Sequence, residues 1–107
     1  MAKDWVKRII ACHTAVTNRV SHRGRMKSDR YFVWQEDGVD DLIVDGTHGE
    51  RAVTGTTDLF TRLEFDPWVD EFEAAMDAAE GIDWELNSVQ HEHDTEITHY
   101  EWVWSVS

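Results

Sequence analysis

Three histidines near the end of the chain, His91, His93 and His99, are the residues best suited to metal chemistry. Imidazole nitrogens bind zinc and other borderline metals, and Glu101 stands close enough in sequence to add an oxygen ligand. The trio becomes a site only if the fold brings it onto one surface. Two strands, over 82–93 and 97–106, would do this in the register that opposes Trp84 to Val106 and Leu86 to Trp104. There the apolar faces coincide, His91 falls opposite His99, and His93 lies diagonally near. Asp94-Thr95-Glu96 is left as the connection. The competing reading is a polar, solvent-facing surface on which histidines happen to align, and a one-residue slip would separate His91 from His99. A lone His-x-His is a weak metal signature. The sequence therefore assigns no metal and no cofactor, with His91, His93 and His99 as the weak candidates.

Cys12 and His13 are neighbours in sequence. On a helix adjacent residues point about 100° apart, so they form no nucleophile–base pair by themselves. Cys12 falls near the stripe of Trp5 and Ile9 and reads as a small buried hydrophobe. Asp and Glu total 22, but none stands in a recognisable acid–base context. Gly-rich phosphate loop, serine nucleophile elbow and paired Cys-x-x-Cys are all missing from the sequence. The expectation is a protein that is not an enzyme and acts by binding other proteins.

Charge is distributed unevenly. Residues 1–30 carry eight of the ten Lys and Arg against Asp4 and Asp29, a surplus of six positive charges. Residues 31–107 carry Arg51 and Arg62 against twenty acids, a surplus of eighteen negative charges. So acidic a body repels phosphate backbones, which argues against specific nucleic-acid binding. The cluster Arg19, Arg23, Arg25, Lys27 and Arg30 is the candidate oligomer or partner interface, and it would suit an acidic patch on a second copy. A solvated basic loop is the plain alternative.

These residues need elements to hold them. At 107 residues, with 41% hydrophobic residues and six Trp, the chain suits a single packed domain over 1–107. One cysteine excludes an internal disulfide and favours a reducing compartment. No stretch approaches the roughly 20 apolar residues of a membrane span. Trp5, Val6, Ile9 and Ile10 mark a helix over about 3–13 by their i, i+4 spacing. Alternation over Val16–Val20 predicts a short strand, and Ser21–Asp29 a basic loop. Tyr31–Gln35 is the densest strand signal. Glu36-Asp37-Gly38 predicts a turn, Leu42–Val44 a further strand, and Asp45-Gly46 with His48-Gly49 a loop or hairpin tip. A long strand is expected from about Ala52 to Phe65, with Leu59, Thr61, Leu63 and Phe65 on one face and Gly55 at a bulge or close backbone approach. Asp66-Pro67 signals a helix start, with Asp66 as N-cap. Trp68, Phe72, Met76 and Ala79 form its buried stripe, and Gly81 ends it at C′. The fold class is α+β: a mostly antiparallel sheet of about five or six strands with two helices packed on it, in the order helix, strands, helix, two strands.

With the elements in this order, the chain resembles the tail-completion or tail-terminator proteins of long-tailed bacteriophages and prophages. The likeness runs through Lys3-Asp4-Trp5-Val6, the strand Tyr31-Phe32-Val33-Trp34-Gln35-Glu36, Leu59-Phe60-Thr61, the acidic helix Pro67–Glu80 with Gly81-Ile82, and two aromatic terminal strands. Relatives often show a Pro before the aromatic strand, where this chain has Arg30. The resemblance implies a virion structural protein of the tail and neck, assembled in the host bacterial cytoplasm. Its partners would be itself, as a ring that is commonly a hexamer, the tail tube protein and the head–tail connector. Two other functions fit the composition. One is an acidic phage-encoded inhibitor that mimics DNA and binds a host nucleic-acid-binding protein. The other is a small metal-binding module built on the histidine face.

Overall fold

The computed structural model describes the backbone of residues 4–44 and 47–107, and the side chains of these outside 40–51. Helix α1 (Asp4–Thr14) is followed by strands β1 (Val20–His22), β2 (Tyr31–Val44) and β3 (Thr47–Thr61), helix α2 (Pro67–Ala78), and strands β4 (Ile82–Glu92) and β5 (Ile97–Val106). They form one five-stranded sheet in the order β1-β2-β3-β5-β4. Every neighbouring pair is antiparallel except β1 and β2, which run parallel. The class is α+β, as the patterning predicts.

The registers put Phe32, Trp34, Leu59, Trp102, Trp104 and Val106 on one face, and both helices cover it. Ile9 and Cys12 of α1 and Phe72 and Met76 of α2 complete the buried core. Burying several aromatic side chains of this size supplies most of the apolar driving force. The helices meet where Cys12 Sγ approaches the Ala75 carbonyl at 3.7 Å, and Arg8 Nη1 donates to the Glu80 carbonyl just beyond α2 at 2.8 Å. Asp66 caps α2 as expected, accepting from the Trp68 N–H at 2.9 Å, with Pro67 at the first helical position. Gly81 (φ 75°) lies one residue beyond C′, because Ala79 is the C-cap. A Cβ at Gly81 would meet the Ser107 carbonyl oxygen at 2.6 Å, so glycine lets the chain end pack there. Glu73 accepts from Trp102 Nε1 at 2.9 Å.

Several boundaries differ from expectation for local reasons. The strand expected over Val16–Val20 begins only at Val20. The last turn of α1 is prolonged by Val16 and Thr17, whose N–H groups both donate to the His13 carbonyl. Glu36-Asp37-Gly38 is a bulge rather than a turn. Glu36 opposes Gly55 and Gly38 opposes Thr54, leaving Asp37 as the extra residue, held by the Thr54 hydroxyl at 2.9 Å. Leu42–Val44 therefore continues β2, and His48-Gly49 belongs to β3. The tip expected at Asp45-Gly46 lies outside the described residues. Gly55 is a close approach, since a Cβ there would collide with Trp104 and the Gln35 carbonyl. Finally, β3 stops at Thr61, whose hydroxyl accepts from the Leu63 N–H at 3.1 Å. Leu63 and Phe65 lie in the following turn, exposed.

β1 pairs no further along β2 than Trp34, and β5 leaves β3 at Val53. Beyond those points β2 and β3 continue alone as a two-stranded ribbon, and the molecule measures 53 × 24 × 24 Å.

Candidate functional site

The histidine trio does not assemble. β4 and β5 pair with Trp84 opposite Trp104 and Leu86 opposite Trp102, and a bulge between Leu86 and Ser88 then shifts the ladder by one residue. His91 faces Thr98 and His99 faces Gln90. Opposed residues share a face, so His91 and His99 lie on opposite sides of the sheet. The His91 ring bonds Thr98 Oγ1 through Nδ1 at 2.9 Å and Glu96 Oε2 through Nε2 at 3.0 Å, with His93 edge-on at 5.1 Å. His99 bonds Asp58 Oδ1 at 2.7 Å and stacks on Phe60 at 4.4 Å. Glu101 accepts from Asn87 Nδ2 at 2.7 Å. Among the described residues, no three His, Cys, Asp or Glu converge on a metal position.

Cys12 and His13 are both buried, and they do different things. Burial pushes the Cys12 thiol up. His13 sits among Phe32, Trp34 and Phe72. A carbonyl only accepts, so Nδ1 carries the proton and donates to Ile9 O at 2.7 Å. Nε2 then accepts from the Thr57 hydroxyl at 2.9 Å, and that oxygen accepts from Trp104 Nε1 at 2.9 Å. Burial lowers the His13 pKa to about 4, against a smaller upward pull from the Ile9 carbonyl. This histidine is neutral and ties α1 to β3 and β5.

The basic cluster divides. Arg30 turns inward: its Nε donates to Asp66 Oδ2 at 2.9 Å, its Nη2 bonds the other carboxylate oxygen, and its guanidinium lies 3.7 Å over the Trp68 ring. Burial raises the Asp66 pKa, but the bonds from Arg30, the Trp68 N–H and Thr61 outweigh it and hold the carboxyl below its ordinary value. Arg30 is thus part of the helix start. Arg23 (φ 72°) bonds Glu36 Oε1 at 3.1 Å, which also accepts from His22 Nε2 at 2.7 Å. His22 first, then Arg23, pull Glu36 down to about 2. The Arg25 guanidinium lies 5.7 Å from the Phe60 ring. Arg19, Arg25 and Lys27 are exposed.

Two further features lie at opposite ends of β3. Beyond Thr61, the turn 62–66 projects Leu63 and Phe65, the latter 85% exposed at φ 54°. The basic loop flanks it, as the Arg30–Asp66 clamp and an Arg62–Asp29 ion pair at 3.8 Å show. At the other end, a groove of about 440 Å³ opens between the start of α1 and the base of the ribbon. Trp5, Val39, Val53 and Val106 wall it, and Asp4, Arg8 and Glu36 rim it. Sequence patterning misses both features, because it carries the β3 alternation through Phe65 and treats 36–38 as a turn.

No helix among the described residues is long and apolar enough to cross a membrane. No protein-family model matches the chain, and no curated protein matches it.

Proposed function

We propose that the chain is the subunit of a homo-oligomeric ring, the tail terminator that caps a phage tail tube and joins it to the head connector. The observation that carries this reading is the unlikeness of the two ends of the sheet. Arg25, Arg30 and the 62–66 turn gather at one end, while Asp4, Glu36 and Asp37 lie at the other, where Arg8 pairs with Asp4 and Arg23 with Glu36. A surface that meets a different surface on the next copy makes a heterologous contact, and heterologous contacts generate rings. The element order and the aromatic terminal strands agree with the resemblance seen in the sequence. An excess of acid on the body would let DNA pass a ring without sticking.

Sedimentation velocity of the purified chain, alone and with the tail tube protein from the same genome, tests the proposal. The expected result is one discrete oligomer that binds tube ends and weakens as salt rises, since surface attraction is screened within roughly 8 Å at physiological ionic strength. A monomer that instead binds a host DNA-binding protein, in competition with DNA, would replace the terminator reading with that of an acidic mimic.

A further inference from the structure

We propose that Thr98, His91 and Glu96 form a hydroxyl–imidazole–carboxylate relay, an acyl-transfer site that takes small polar esters in the cleft beside Arg62. The site is complete within one copy, so it goes beyond the ring reading and does not depend on it.

The relay follows from the pairing at the far end of β4 and β5. His91 opposes Thr98 across the two strands, so both side chains lie on one face. Glu96 follows in the connection with a left-handed backbone (φ 59°), and its carboxylate reaches back to the same ring. A carboxylate only accepts, so His91 Nε2 carries the proton and donates to Glu96 Oε2 at 3.0 Å. Nδ1 is left with its lone pair and accepts from the Thr98 hydroxyl at 2.9 Å. A nucleophile in hydrogen-bond reach of a base, with the base oriented by a third group, is the arrangement that activates a hydroxyl. Geometry and role define such a triad, whatever the order of its members in the chain.

The surroundings give the relay a place for a substrate. A cleft of about 390 Å³ is lined by Arg62, Glu64, His91, Glu96 and Thr98. His91 is exposed and Thr98 half-buried, so the reacting pair is open to a ligand. All five lining residues are polar, which fits an acetyl-sized acyl group better than a long acyl chain. Arg62 pairs loosely with Asp29 at 3.8 Å, both side chains being more than half exposed. Its guanidinium has further donors to offer a carbonyl oxygen that gains negative charge.

The chemistry balances with water as the second substrate. The Thr98 oxygen bonds to the ester carbonyl carbon while its proton passes to His91 Nδ1. The bond from that carbon to the alcohol oxygen then breaks, and the imidazolium gives its proton to the leaving oxygen. Water repeats the sequence on the acyl-threonine, releasing the acid and restoring the hydroxyl. Glu96 is a positioning residue: it fixes the ring and steadies the imidazolium.

The full chain is incubated with p-nitrophenyl acetate, and release of p-nitrophenolate is followed. Samples quenched in acid are mapped by peptide mass spectrometry. Acetyl should appear on Thr98, and release should fall on the order of tenfold or more in Thr98→Val and in His91→Gln. Thr98→Ser keeps a hydroxyl and should stay active. Glu96→Gln should lower kcat with little change in KM, the mark of an interaction made in the transition state. Circular dichroism and melting check that each variant is folded. Release unchanged in folded Thr98→Val, or acetyl found only on lysine and histidine side chains, would overturn the relay. Should Thr98→Val fail to fold, His91→Gln at its exposed position decides alone, and unchanged release there overturns it too.

Discussion

Acidification should destabilise this protein through one residue, His13. Its ring is fully buried, its neighbours are Ile9, Phe32, Trp34, Thr57 and Phe72, and none of these carries a charge. Its folded pKa is about 4, against an ordinary value of 6.5. Between these values the unfolded chain binds a proton that the folded chain refuses, so stability rises with pH through the window and is fully present above it. With those two values, linkage predicts a loss on the order of 1 kcal/mol on going from pH 7.5 to 5.5, and roughly 2–3 kcal/mol by pH 4.5. Either is a large part of the stability of a small domain. The same protonation would break the Thr57-to-Nε2 hydrogen bond, because an imidazolium has no acceptor.

Urea unfolding followed by tryptophan fluorescence, at one fixed protein concentration, measures this directly. His13→Gln is the control. It loses stability at neutral pH by disturbing the Ile9 and Thr57 bonds, but it cannot titrate, so its stability should change much less between pH 7.5 and 5.5. Carboxylates of lowered pKa, Asp66 and Glu36, act in the same direction at lower pH, since their stabilisation is present above the ordinary carboxylate range and lost as pH falls through the folded value. The interval from pH 7.5 to 5.5 therefore leaves the carboxylates out, and the comparison with His13→Gln separates His13 from the other histidines. If His13→Gln and the wild type lost the same free energy over that interval, the buried neutral imidazole would not be the acid-sensitive group.

Phe72→Ala should cost roughly 3–5 kcal/mol, because the ring is fully buried between Phe32, Trp102 and His13 and its loss leaves a cavity; unchanged urea stability with lost partner binding would make the stripe an interface. Arg30→Ala should cost on the order of 3 kcal/mol by stranding the Asp66 carboxylate, whose side chain is 0% exposed. Arg30→Lys should recover only part of that loss, since an ammonium cannot reproduce the two-pronged bond or the stacking on Trp68; full recovery in the same urea assay would reduce the clamp to simple charge.

Helix α2 was legible in the sequence because its signals are local. Asp66-Pro67 sets its start, and Phe72 and Met76 repeat one turn apart. The pairing of β4 with β5 was legible only in part, for a reason inherent to strands. Side chains alternate with a period of two, so a two-residue slip keeps every apolar face in place. Trp84 opposite Val106 and Trp84 opposite Trp104 satisfy the alternation equally. The bulge between Leu86 and Ser88 then moves the ladder by one, and that single residue puts His91 and His99 on different sides. Long-range partners leave no periodic trace either. Arg30 reads as one more loop cation until Asp66, far along the chain, arrives beside it. His13 reads as a helix residue until Thr57 and Trp104 close around it.

Alternation is also silent about where a strand stops, and that is why the strand expected from Ala52 runs on to Phe65 although β3 ends at Thr61. Other apolar side chains are exposed too: Leu86 at 41% and Val89 at 51% lie on β4. They sit on a strand, Leu86 at the edge of its bulge, and scattered exposed hydrophobes of that kind are ordinary on a protein surface. Phe65 differs because its exposure comes with a left-handed backbone held by bonds on both sides. The bonds that hold the turn, from the Leu63 N–H to Thr61 and from Arg30 to Asp66, come from residues on either side of it, and no alternation in the sequence announces them.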